Sequence, residues 1–193
     1  MSKLTKLFKE QAANVQLADV QAILDSDPED VKTATEDGMY PLHHGFENNV
    51  PAESIAAMCA AYPEAASKVD EDGRYPLHFG MANCSQADSI AVVLDAHPAA
   101  ASKPDKDGMY PLHYGMKDGS SADAAIAVLK SHKEAAAKAD NTGHYPIHLA
   151  MKNKAPAKSA KAVFSAYPSA ICGIQSLMIM LHNCFGEQFN YSD

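Results

Sequence analysis

Tryptophan, long apolar runs and an excess of positive charge are all missing from this 193-residue chain. No stretch approaches the roughly 20 consecutive apolar residues of a membrane-spanning helix, so no span is expected. The formal net charge is −8, which argues against phosphate-backbone binding as the main activity, because nucleic-acid affinity comes largely from clustered Lys and Arg. Cys59, Cys84, Cys172 and Cys184 form no CxxC and no regular framework. Reduced thiols in an intracellular, cytoplasmic setting are therefore expected. The start, "MSKLTKLFKEQ", lacks the apolar core and small-residue cleavage site of a secretory leader. No P-loop, dinucleotide-binding glycine pattern or hydrolase elbow occurs.

What is present is enough to build a core: 47% of residues are hydrophobic and 21% charged, a globular balance rather than that of a disordered tail. The charge is uneven. Residues 1–143 carry 12 basic and 22 acidic side chains, while 144–193 carry 4 and 2. Lys152, Lys154, Lys158 and Lys161 make the last quarter mildly basic.

The dominant feature is a repeat. "DGMYPLHHG" at 37–45 returns as "DGRYPLHFG" at 72–80 and "DGMYPLHYG" at 107–115, then as "TGHYPIHLA" at 142–150. Glycines 38, 73, 108 and 143, the tyrosines two further on, the prolines after them and His43, His78, His113 and His148 all keep a step of 35. Such a period marks an array of supersecondary units.

Each unit reads as turn, helix, loop, helix. Asp-Gly supplies a tight turn, and the proline suits the first helical position, where its missing N–H costs nothing. The first helix is expected around 41–48, with a small residue (Gly45, Gly80, Gly115, Ala150) where neighbouring backbone comes close. Asn49 and Gly119 are expected to end it in a left-handed conformation, Cys84 and Lys154 less readily. Ser85-x-x-Asp88 and Ser120-x-x-Asp123 resemble capping boxes for the second helix, and Pro51 and Pro156 its first turn. That helix should bury Ile55, Met58 and Cys59; Ile90, Val93 and Leu94; Ile126, Val128 and Leu129; Val163 and Phe164. Pro63, Pro98 and Pro168 should end it, with Lys133 doing so in the third full unit.

These units resemble the ankyrin repeat, whose signature is a hairpin turn, Thr-Pro-Leu-His-x-Ala and two antiparallel helices in about 33 residues. The resemblance covers roughly residues 14–176. Here Tyr replaces Thr in every copy, each unit is two residues longer, and Pro-x-Ala-Ala follows the second helix. The resemblance implies an all-α, ankyrin-like helical solenoid. Its parts would be a capping helix pair in 1–35, four repeats in 36–176, and a capping helix and tail in 177–193.

The histidine ladder is the obvious candidate for chemistry, and spacing argues against it. Stacked helices lie roughly 8–10 Å apart, too far for ladder histidines to share an ion that holds its ligands at about 2 Å. No repeated Ser, Cys or carboxylate stands beside them as a catalytic partner. The expected role is structural, each imidazole bonding the adjoining turn, as the family resemblance implies. "DEDG" and "DKDG" lack the spread of ligands and terminal Glu of a calcium loop. Cys172, His182 and Cys184 read as buried thiols with a packing histidine. No catalytic residue, metal or cofactor is expected, and the chain is not expected to be an enzyme.

Repeat arrays bind other proteins along a concave face of hairpin tips and first helices. The tip residues are Glu36, Asp37 and Met39; Glu71, Asp72 and Arg74; Lys106, Asp107 and Met109; and His144. The first-helix ends add Glu47, Asn48, Asn83, Lys117, Asp118 and Lys152. The slot after the glycine, Met39, Arg74, Met109 and His144, varies within otherwise repetitive units and is expected to contribute to a partner surface. The expected function is protein–protein interaction as an adaptor, inhibitor or scaffold, with no nucleic acid and no membrane insertion. The alternative is a structural subunit docked into a larger complex through Leu177, Met178, Met180, Leu181 and Phe185. The segment 177–188, "LMIMLHNCFGEQ", looks like a fifth first helix without a second, and a cap is favoured over an interface.

Overall fold

The computed structural model describes residues 1–11 and 14–171. The expected cap or docking helix at 177–193, with Leu177, Met178, Met180, Leu181 and Phe185, lies outside the described residues, as do Cys172, His182 and Cys184. Among the described residues the chain forms ten α-helices and no strand, so it is all-α. No helix there is long and apolar enough to cross a membrane.

The first pair is α1 (Lys3–Gln11) and α2 (Leu17–Ser26). Asp30, buried just after this pair, accepts from the amides of Lys3 at 2.6 Å and Leu4 at 2.8 Å. A carboxylate there neutralises free N–H groups at the positive end of the α1 dipole.

Four helix pairs follow: α3 (Pro41–Glu47) with α4 (Ala52–Ala61), α5 (Pro76–Ala82) with α6 (Ala87–Ala96), α7 (Pro111–Asp118) with α8 (Ala122–Ser131), and α9 (Pro146–Lys152) with α10 (Ala157–Ala166). The odd helices pack in one row, α1 on α3, α3 on α5, α5 on α7 and α7 on α9. The even helices pack in a parallel row, from α2 through α10. An inner first helix therefore has neighbours on three sides, and α3 buries every residue from Pro41 to Phe46. Leu42, Leu77, Leu112 and Ile147 sit at one slot and are at most 1% exposed. Each contributes about 2 kcal/mol of apolar burial. The small residue after the histidine is a packing requirement: a Cβ on Gly80 would stand 2.7 Å from Ile90 Cδ1 and 2.9 Å from the Phe46 ring.

Several local expectations shift by a residue or a face. The N-cap positions of these second helices fall on Gln86 and Ser121, not on Ser85 and Ser120; Ser121 Oγ accepts from the Ala124 amide at 3.2 Å, while Gln86 makes no side-chain capping bond. Pro51 and Pro156 are themselves the caps rather than first-turn residues. In α8 the buried stripe is Ala124, Ala125, Val128 and Leu129, and Ile126 turns half outward; in α10 Val163 is buried and Phe164 half-buried. The second helices stop one residue before the prolines, where Tyr62, His97, His132 and Tyr167 all adopt φ between −146° and −150°. The proline then opens a short 3₁₀ turn. Lys133 opens the same turn, so proline suits this corner without causing it.

Candidate functional site

The hairpins that link the pairs are built by side chains reaching backbone. Asp70, Asp105 and Asp140 stand three residues before each glycine. Each Oδ1 accepts two amides, Asp72 and Arg74, Asp107 and Met109, Thr142 and His144, all between 2.8 and 3.0 Å. Glycine follows with φ between 74° and 85°, a region that other L-residues enter at a cost. Successive tips are then tied to each other. Glu71 N–H donates to the Asp37 carbonyl, Lys106 N–H to Asp72 and Asn141 N–H to Asp107, at 2.9 to 3.1 Å.

The ladder histidines lock this arrangement to the next unit. His43 Nδ1 accepts from its own helix cap, the Tyr40 amide, at 3.0 Å. That lone pair fixes the tautomer, so Nε2 carries the proton and donates to the Arg74 carbonyl at 3.2 Å. His78 repeats the pattern with the Tyr75 amide and the Met109 carbonyl, His113 with the Tyr110 amide and the His144 carbonyl. All three imidazoles are fully buried. Burial pulls the pKa of His43 and His78 down to about 4 and lowers that of His113, against the opposing pull of their carbonyl partners. Both ring nitrogens of each are engaged, which leaves no lone pair for general-base work.

The residue after each ladder histidine, unmarked by the sequence reading, shapes the accessible surface. Phe79 sets its ring edge against His43, with centroids 5.5 Å apart at 86°, and Tyr114 does the same to His78 at 5.6 Å and 88°. Tyr114 Oη donates to Asp105 Oδ2 at 2.7 Å; burial and this bond raise its pKa. Arg74 lies 4.7 Å over the Phe79 ring. Its Nε and Nη2 fork onto Asp70 Oδ2 at 2.7 Å, and Nη2 reaches Asp72 at 3.1 Å. Burial works against the Arg74 charge, but these carboxylates outweigh it and raise its pKa.

Between α3, α5 and α7 these groups enclose a hollow of about 200 Å³ lined by Glu47, Arg74, His78, Phe79, Ala82, Asn83 and Tyr114. Three of the expected contact residues, Glu47, Arg74 and Asn83, meet there. Its lining combines the aromatic rings of Phe79 and Tyr114 with the charged groups of Glu47 and Arg74. Glu47 is held at 3.0 Å by His44 Nδ1. The arrangement suits a protruding side chain with an apolar body and a polar tip.

Of the other expected residues, Glu36, Asp37, Glu71, Asp72, Lys106, Asp107, Lys117, Asp118 and Lys152 are exposed. Asn48, Met109 and His144 are half-buried. Met39 is buried, only 7% exposed, and packs into the core. The expected row of four variable contacts is thus not a row. Met39 belongs to the core, Arg74 is tied down by Asp70, and the His144 ring is held by Thr142 Oγ1 at 2.6 Å. The alternating slot was readable in the sequence, but which copies turn inward depends on the neighbouring unit. No family model and no characterised protein sequence matches this chain, so the site's use must be read from its own residues.

Proposed function

We propose that the chain is a protein–protein interaction module, an ankyrin-like solenoid that binds a partner through its hairpin tips and first-helix face. The observation that carries this reading is the hollow between α3, α5 and α7, whose walls are fixed in advance by Asp70 on Arg74 and Asp105 on Tyr114. Side chains already ordered in the free protein lose little entropy on binding. The acidic tips Glu36, Asp37, Glu71 and Asp72 and the more C-terminal Lys106, Lys117 and Lys152 are exposed. The free thiols of Cys59 and Cys84 fit a cytoplasmic setting.

Affinity capture from native extract tests the reading, with wild-type bait beside two variants. One variant changes Glu47, Asp72, Lys106 and Lys117 to Ala. The control changes Glu53, Asp95, Lys130 and Lys158, exposed residues of the second helices, to Ala. A partner lost only with the first variant is expected. A partner lost equally with both variants, or held equally by both, would sink the proposal.

A further inference from the structure

The hollow between α3, α5 and α7 has a sign as well as a shape. Most of its polar groups are already engaged. Arg74 commits Nε and Nη2 to Asp70 and Asp72, and Tyr114 Oη donates to Asp105. Both ring nitrogens of His78 are bonded to backbone. Asn83 Nδ2 donates to the Phe79 carbonyl at 3.1 Å, and its Oδ1 takes no hydrogen bond among the described residues. Glu47 Oε2 meets His44 Nδ1, and Oε1 likewise takes none there.

His44 holds that carboxylate without neutralising it. The ring is buried and its Nε2 has no hydrogen-bond partner, so its proton is best placed on Nδ1, donating to Glu47 at 3.0 Å. Burial lowers the His44 pKa against the opposing pull of Glu47. Near neutral pH the imidazole is therefore uncharged. Arg74 is matched by two carboxylates, whereas Glu47 has no lysine or arginine partner among the described residues.

The surrounding units have the same sign. Hairpin and first helix together hold three acidic and no basic side chains in residues 35–49, and three acidic and one basic in 70–84. The balance is three to two in 105–119 and one to two in 140–154. The rest of these units, 50–69, 85–104, 120–139 and 155–171, holds six acidic and seven basic. The excess of negative charge thus belongs to the hairpin and first-helix row, and it is greatest in the two units that carry Glu47 and Arg74. Such a field draws in a positively charged partner.

We infer that the hollow receives an arginine or lysine side chain from a basic segment of the partner protein, its stem against Phe79, Ala82 and Tyr114 and its cationic head at Glu47. This rests on the interaction reading above and adds the chemistry of the partner. Long cationic side chains suit the place, because an apolar stem can be covered while the head stays hydrated. An acidic side chain would instead stand near Glu47, Asp70 and Asp72, with Arg74 already matched, and such like-charge approach costs affinity.

Amide-detected NMR titration of the full chain at low salt tests the inference. The probes are capped peptides Gly-Ser-X-Ser-Gly in which X is arginine, lysine, glutamate or norleucine. The arginine and lysine peptides should shift the signals of Glu47, Phe79, Asn83 and Tyr114 and leave those of α8 and α10 in place. Glu47→Gln removes the charge at nearly constant shape and should weaken both peptides about fivefold. Glu53→Gln, at an exposed position of a second helix, should change nothing. Unshifted α8 and α10 signals report that each variant is folded. Equal binding by wild type and Glu47→Gln overturns the inference. If the glutamate or norleucine peptide shifts the same signals as strongly, the hollow stands as a binding site and its basic selectivity is overturned. If no peptide shifts them, the inference is overturned as well, and affinity capture decides the interaction reading independently.

Discussion

The short helices α3, α5, α7 and α9 start on one set of residues and stop on four different ones, yet the backbone is alike at both ends. Each start is Tyr-Pro, with a histidine three residues after the tyrosine bonding back to its amide. Each stop is a left-handed residue, Asn49, Cys84, Gly119 or Lys154, at φ 52°, 54°, 85° and 56°. The following amide donates to the carbonyl of Gly45, Gly80, Gly115 or Ala150 at 2.8 to 3.0 Å, the closure of a Schellman motif. At the start, one imidazole accepts from the cap amide and, in the first three units, also donates to a carbonyl of the next unit, a pairing that suits a neutral histidine. At the stop, backbone bonds do the work and side chains are free to vary.

That difference decides what the sequence made legible. The period, the proline starts and the backbone role of the ladder histidines were readable because specific side chains enforce them. The left-handed turn at Cys84 and Lys154 was legible only through their register with Asn49 and Gly119, because nothing in those residues favours it. Ser85 and Ser120 looked like caps, but Ser85 Oγ donates to Asn49 Oδ1, and Ser121 takes the capping role. The turn-holding role of Asp70, Asp105 and Asp140 was not assigned from the sequence, although a polar side chain at a fixed distance before each glycine was visible. Thr35 holds that slot in the first hairpin and donates through Oγ1 to the Met39 carbonyl, a looser device for the same turn. The hollow was illegible for another reason: Phe79 and Tyr114 acquire a role only once α5 and α7 lie side by side.

The largest test of the helix starts is pH. Burial holds His43 and His78 near pKa 4 against an ordinary 6.5. As pH falls below 6.5 the unfolded chain takes up protons first, so stability is complete above 6.5 and is lost on the way down to 4. The loss by about pH 5 is on the order of 2 kcal/mol for each histidine. Urea midpoints should fall steeply across that window. A flat profile would mean that the imidazoles titrate freely and the ladder is open to solvent.

Next comes His78→Ala, which strands the Tyr75 amide and the Met109 carbonyl and leaves a void between α5 and α7. A loss of about 3 kcal/mol in equilibrium unfolding is expected. A loss below about 1 kcal/mol would show that the starts are no more demanding than the stops. At a stop, Gly119→Ala forces a Cβ into φ 85° where only Pro156 Cδ is near, at 3.9 Å. With conformation alone at stake, about 1 kcal/mol should be lost. A cost matching that of His78→Ala would erase the contrast between the two ends.

The finest test compares two strained stops. Cys84 Sγ donates to the Asp118 carbonyl of the next unit at 3.1 Å, as Asn49 Nδ2 does to Asn83 at 3.2 Å. A side chain in the left-handed turn can thus recover part of its strain by bridging to the neighbouring helix end. Lys154 has no such bridge among the described residues, and its side chain is exposed. Lys154→Gly relieves the strain and gives up only backbone entropy, for a net gain of about 0.5 kcal/mol. Cys84→Gly relieves the same strain but loses the bridge, so its midpoint should stay near that of the wild type. If the two substitutions stabilise equally, the sulfur contact contributes nothing and the stops are governed by backbone alone. If neither does, residues of these types tolerate the left-handed turn without cost, and drift at this position needs no compensation.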